Sequence, residues 1–119
     1  MAEMTTKEYV KIAVDALEDK KANDIRIIDI HEISVIADYF IICDGASASQ
    51  VHALADNLEE KLAKAGKGVH KTEGYGQGTW ILEDYGDIIV HIFQTEEREF
   101  YDLERMWMDG KMIGDVKDL

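Results

Sequence analysis

The chain has no proline, a single cysteine and only 8% aromatic residues among its 119 positions, and its 13 Lys and Arg are about half as many as its 25 Asp and Glu. Each shortage excludes something. One cysteine, Cys43, cannot close an internal disulfide, so the pattern is that of a reducing, cytosolic compartment. The longest apolar run, residues 39–43, falls far short of the roughly 20 residues that a spanning helix needs, and no membrane association is expected. Residues 1–8 lack the basic segment followed by an apolar block that marks a secretory signal, so no export is expected. A net charge of −12 would repel nucleic acid over most of the surface, because gripping a phosphate backbone takes Lys and Arg to displace counterions.

What is present is a balance of 46% apolar and 32% charged residues, that of an ordinary globular domain. A chain of this length buries about two-thirds of the surface it exposes when unfolded, enough for one core and not for two. Residues 1–119 therefore read as one domain, with a core over about 5–108 and a polar tail over 109–119 that is expected to fray.

Thr5 and Glu8 have capping-box spacing, and Tyr9, Ile12, Ala13, Ala16 and Leu17 recur on one helical face, predicting a helix over 6–22. Residues 25–30 are short and β-branched, a strand pattern. Residues 39–43 are apolar on both parities, which in a strand means that both faces are covered and the strand is central. Ser47 and Gln50 repeat the capping spacing ahead of Val51, Leu54, Ala55, Leu58 and Leu62. A second helix is thus predicted from near Ser49 to Gly66, with Lys61 and Lys64 in its last turns where the helix dipole favours cations. A short strand over 69–73, a loop of alternating glycines (Gly74-Tyr75-Gly76-Gln77-Gly78) and a hairpin of 79–83 with 88–93 follow. Thr95 can cap a third helix, with Glu96 and Glu97 in its first turn and Phe100, Leu103 and Trp107 at helical spacing.

The order α-β-β-α-β-β-β-α predicts an α+β or α/β sandwich: a mixed β-sheet with helices packed mainly on one face. Trp80, Leu82 and Asp84 share one parity of their strand, and Ile89, His91 and Phe93 share one parity of theirs; both parities carry large apolar groups. Three modest helices cover one face, so the other is expected to be partly apolar and open, as at a partner surface.

Most chemistry fails on spacing. The glycine loop leads into a strand, whereas a phosphate cradle needs a helix whose amides point at the anion. Asp44-Gly45-Ala46-Ser47 does run from strand to helix, with Ser47 a capping residue before it is a ligand. His31, His52, His70 and His91 show no metal-ligand spacing with one another or with Cys43, and Cys43, inside an apolar strand, is a core thiol. His91 is either a half-buried imidazole with a hydrogen-bond partner or an interface contact. Asp84 and Asp87 flank a turn and are turn formers first.

The block Asp38-Tyr39-Phe40-Ile41-Ile42-Cys43-Asp44-Gly45-Ala46-Ser47, then Glu73-Gly74, Asp84-Tyr85-Gly86-Asp87, Val90-His91-Ile92-Phe93, and Arg98 with Tyr101, Leu103, Glu104 and Trp107, resembles the ribosomal silencing factor family, also called Iojap-like. The resemblance implies an α+β fold like that of nucleotidyltransferases. It also implies a partner, large-subunit ribosomal protein fourteen, on which family members block joining of the small subunit and silence translation when nutrients are scarce. Organellar relatives are tied to ribosome assembly, and the bacterial cytosolic form is the better match.

Metal-dependent nucleotidyl transfer needs carboxylates two residues apart on a strand after a Gly-Ser turn. Residues 69–73 hold no Asp-x-Asp, and the turn reads Gly45-Ala46-Ser47. A non-enzymatic protein without a cofactor is therefore expected, with a degenerate or active nucleotidyltransferase as the alternative and a homodimer paired through open sheet faces as a third. A −12 surface would be steered toward a basic protein and away from RNA, so little direct nucleic-acid contact is expected. Trp80 is the expected anchor of the docking surface, against core packing as its plain role. Lys71, Glu73 and Tyr75 are expected beside it, with Asp84, Asp87 and Arg98 as further polar contacts; for Arg98 the plain alternative is an ion pair with Glu97 or Asp102.

Overall fold

The structure is a computed structural model. It describes residues 4–32, 34–101 and 111–113, with 100, 101 and 111–113 described through their backbone only.

Helix α1 (Thr6–Asp19) opens on the expected capping box: the Thr5 hydroxyl accepts from the Glu8 amide and the Glu8 carboxylate from the Thr5 amide, both at 3.2 Å. It ends three residues earlier than its apolar pattern predicts. Lys21 takes a left-handed φ of 61°, and the amides of Lys21 and Ala22 turn back to the carbonyls of Glu18 and Leu17, closing the helix as a Schellman motif without glycine. Helix α2 (Ala48–Lys64) closes in the same way with Gly66 at φ 95° in the position predicted for it. At its start only half of the capping box forms. Ser47 accepts from the Gln50 amide, but the Gln50 carbonyl oxygen takes the Ala46 amide and its NH2 donates to the carbonyls of Lys20 and Lys21.

The strands are β1 (Asn23–Asp29), β2 (Tyr39–Gly45), β3 (Lys71–Glu73), β4 (Trp80–Asp84), β5 (Ile88–Gln94) and β6 (Lys111–Ile113), with α3 (Thr95–Tyr101) after β5. They form one mixed sheet in the order β3-β4-β5-β2-β1-β6, in which β2 and β5 run parallel and every other pair antiparallel. All seven residues of β2 are buried, as its unbroken apolar pattern requires of a central strand. The tail that was expected to fray contributes β6, which pairs with β1 through Ile27 and Ile113. Three residues carry no readable periodicity; this strand exists because β1 offers it an unpaired edge.

Val10, Ala13, Val14 and Leu17 of α1 and Val51, Leu54, Leu58 and Leu62 of α2 pack on Ile27, Ile41, Cys43, Ile81, Val90 and Ile92, the first face of the sheet. Buried Asn57 ties the two helices by donating to the Ala16 carbonyl at 2.8 Å. The second face carries Ile28, Phe40, Ile42, Ile89 and Phe93, joined by Ile30 and Ala37 from the connection between β1 and β2. The sequence predicted this face to be open, yet these residues are 0–7% exposed. It is a second core layer. Toward β4 it opens, with Trp80 and Leu82 half-buried.

Candidate docking surface

In the antiparallel pairing of β3, β4 and β5, Lys71 lies opposite Asp84, Glu73 opposite Leu82, Leu82 opposite His91 and Trp80 opposite Phe93. Directly opposed residues point to the same side, so Lys71, Glu73, Trp80, Leu82, Asp84, His91 and Phe93 share the second face. Lys71 and Glu73, both exposed, pair at 2.9 Å, and the hydrogen bond and charge of Glu73 raise the Lys71 pKa. Trp80 stacks on Phe93 with ring centroids 4.9 Å apart. Behind it, Gly74 at φ 79° brings the loop so close that a Cβ there would stand 2.0 Å from the Trp80 carbonyl oxygen.

The Trp80 indole N–H donates to His91 Nδ1 at 3.1 Å. An indole only donates, so Nδ1 must be the acceptor and the imidazole proton sits on Nε2. Among the described residues that Nε2–H has no hydrogen-bond partner. His91 is 5% exposed, with the Phe40 ring edge-on at 5.1 Å, and burial lowers its pKa to about 4. The imidazole is neutral throughout the physiological range. The hydrogen-bond partner expected of His91 is thus Trp80, and the ring is buried where it was expected to be half-buried.

On the first face, between β4, β3 and α2, lies a feature that the sequence pattern did not flag. Glu83 is 0% exposed; its Oε2 lies 2.6 Å from Thr72 Oγ1, which is also 3.1 Å from Glu59 Oε1. One hydroxyl carries one proton and cannot donate to two carboxylates, so a carboxyl group must supply the second. Burial, with the Glu59 charge beside it, pushes Glu83 up to about 8 against the lowering effect of its bonds to Thr72 and Tyr85. The available signal was parity: Glu83 alternates with Ile81 onto the side that α2 covers.

The other expected contacts separate. Tyr75 lies against α2, its hydroxyl donating to Asp56 at 2.8 Å and its carbonyl accepting from His52 Nε2, while Gly78 bonds back to Gly74. The glycine loop is therefore pinned to α2, and Tyr75 is near Trp80 along the chain but on the helix side. Asp84 holds the turn by accepting from the Gly86 amide at 2.8 Å. Asp87 accepts from the Thr6 hydroxyl at 2.7 Å and pairs with Lys67 at 2.9 Å, joining the hairpin to α1. Burial opposes its charge, but the bonds from Lys67 and Thr6 hold its pKa below the usual range.

Arg98 is 8% exposed and donates to Asp44 Oδ1 at 2.8 Å and to the Asp24 carbonyl at 2.6 Å. Thr95, expected to cap α3, instead donates to Asp44 Oδ2 at 2.7 Å. Arg98 thus latches α3 to β1 and β2 through Asp44 and Asp24; Asp102, one of the ion-pair partners expected for it, lies outside the described residues. Phe100, Leu103 and Trp107, predicted along the same helix, lie outside the residues whose side chains are described.

At the strand-to-helix turn, the Ala46 and Gln50 amides are taken by Gln50 and Ser47 side chains, so these donors are committed within the chain. Cys43 is buried and its thiol is pushed up to about 12, which makes it inert as a nucleophile. Among the described residues no three His, Cys, Asp or Glu come together to hold a metal ion, and no helix is long and apolar enough to cross a membrane.

Residues 3–119 match the model of a family described as ribosomal silencing factor during starvation. The chain is 42% identical over 109 residues to the ribosomal silencing factor RsfS of Bacillus subtilis, covering 92% of each chain. It is 31% identical over 102 residues to the chloroplastic protein Iojap of Zea mays, covering 82% of this chain and 42% of that one. Among solved structures, a crystal structure of a Chromobacterium violaceum protein superposes with a TM-score of 0.86 at 38% identity, covering 87% of both chains. One from Bacillus halodurans gives 0.83 at 36% identity, covering 92% of this chain and 100% of that one.

Proposed function

The chain belongs to the ribosomal silencing factor family, and from that membership we propose that it represses translation by docking on large-subunit ribosomal protein fourteen and blocking subunit joining under nutrient limitation. It works in the cytoplasm, as a binding protein and not as an enzyme, on a sheet of the nucleotidyltransferase-like type. The observation that carries the docking site is the half-buried Trp80 at the β4 margin of the second face, held from behind by Phe93 and His91 and bordered by Leu82 and the exposed Lys71–Glu73 pair. A rigid aromatic in the middle and charged groups at the rim form the usual anatomy of an interface hot spot. The charge of −12 supports a basic protein as the partner and disfavours the surrounding RNA.

Trp80→Ala tests this. Loss of a hot-spot aromatic costs about 2 kcal/mol or more, so the variant should bind purified large subunits roughly 30-fold more weakly in co-sedimentation, with an unchanged circular dichroism spectrum. Unimpaired binding would remove Trp80 from the site. Magnesium-dependent turnover of a labelled nucleoside triphosphate, lost on changing Asp44 or Ser47, would support the enzyme alternative instead; the internally bonded turn amides argue against it.

A further inference from the structure

Resting on that docking site, we propose that His91 is its positioning residue: Nδ1 holds the Trp80 indole in the one orientation that presents the ring to the partner. The register places His91 diagonally across from Trp80, two residue pairs along the hairpin and next on the same face, so the imidazole reaches the indole N–H from the side while Phe93 stacks on the ring. Stacking tolerates a change of ring orientation, whereas the hydrogen bond at 3.1 Å is directional and favours the flip state that aims the indole N–H at Nδ1.

For the fold alone, an imidazole is a poor choice here. Its neighbours on the second face include Phe40, Ile42, Leu82, Ile89 and Phe93, a setting in which a phenyl ring would satisfy packing and bring no buried polar atom of its own. His91 instead leaves the Nε2–H buried without a partner among the described residues, and the bond it makes in return is the one to Trp80. Burial keeps the ring neutral, so Nδ1 is an open acceptor at every pH at which the protein would act. A side chain that carries a donor unmet among the described residues in a core layer, while orienting the half-buried tryptophan at the margin of that layer, is explained by what the tryptophan does.

The test compares wild type with His91→Phe, which keeps the ring and loses the acceptor, and His91→Asn, whose side-chain oxygen can take the place of Nδ1. Two readouts are needed: co-sedimentation with purified large ribosomal subunits, and the indole N–H resonance in an amide correlation spectrum. The chain has two tryptophans, and the signal of Trp80 is the one missing from Trp80→Phe. His91→Phe is expected to fold with a melting temperature at or above the wild-type value, to shift the Trp80 indole signal upfield, and to bind about tenfold more weakly. His91→Asn is expected to restore both readouts toward wild type, which a merely structural role for His91 would not produce. Should His91→Phe fail to fold, His91→Leu takes its place against His91→Asn. Wild-type affinity in the folded variant without an acceptor overturns the positioning role and leaves Trp80 as anchor. Failure of the wild-type chain itself to bind large subunits overturns the docking site and this role with it.

Discussion

Glu83→Gln should leave stability near the wild-type value at pH 5 and raise it at pH 8. Glu83 is fully buried and shares the Thr72 hydroxyl with Glu59, an arrangement that needs a proton on one carboxyl group. Its folded pKa is raised to about 8, first by burial and then by the Glu59 charge, whereas an unfolded glutamate titrates at about 4.3. The sign follows from the direction of that shift. Below the unfolded pKa both states are protonated and the contribution to stability is intact. As pH rises from about 4.3 toward 8, the unfolded state releases its proton and the folded state does not, so stability falls at up to about 1.4 kcal/mol per pH unit.

Between pH 4.3 and 7 this allows a loss of at most roughly 4 kcal/mol, less whatever part Glu59 carries as the coupled partner. Glutamine has nothing to ionise; its carbonyl can accept from Thr72 and its NH2 can donate to Glu59. Subtracting about 1 kcal/mol for imperfect geometry leaves a net gain of at most about 3 kcal/mol at pH 7, or roughly 10 °C in melting temperature, and no less at pH 8. Thermal melts of both proteins followed by circular dichroism at pH 5, 6, 7 and 8 measure the difference directly, because every other titrating group is common to the two. Parallel curves, with Glu83→Gln displaced by the same amount at every pH, would show that Glu83 is ionised in the folded protein and would refute the shared-proton reasoning.

Arg98→Met should destabilise the protein by about 3–5 kcal/mol in urea melts, because it strands the buried Asp44 carboxylate with only the Thr95 hydroxyl; adding Asp44→Asn should recover part of that loss, and no recovery would mean that the latch works by packing and not by charge. Gly74→Ala should cost about 1–3 kcal/mol through its left-handed backbone and the close approach to the Trp80 carbonyl, and should weaken co-sedimentation with large subunits by displacing β4 beneath the anchor; wild-type behaviour in both assays would show that the loop does not support Trp80.

Legibility differed by feature. The capping box at Thr5 and Glu8, the fully buried β2, the Gly66 helix end and the hairpin around Asp84 and Asp87 were all readable, because each is decided within a few residues by propensity, periodicity or turn chemistry. The face proposed for docking was half legible. Alternation placed Trp80, Leu82 and Asp84 on one side of β4, and strand pairing then added Lys71 and Glu73, but Tyr75 went with α2 because its hydroxyl found Asp56. Asp87 and Arg98 looked like surface contacts because charge alone marks a residue as solvated. Their partners, Thr6 and Lys67 for one, Asp44 and Asp24 for the other, lie far away in the chain or across elements.

By itself the sequence determined the family, the element order up to α3, the parity of each strand and the acidic net charge, since these depend on residue type and spacing. The tertiary structure alone decided that the second face is a core layer around Ile28, Phe40, Ile42, Ile89 and Phe93 and opens at Trp80 and Leu82, that β6 pairs with β1, that Glu83 is buried beside Glu59 and Thr72, and that His91 faces Trp80. Those outcomes depend on which distant segments are brought within a few ångströms of one another, and on how completely water is excluded when they meet.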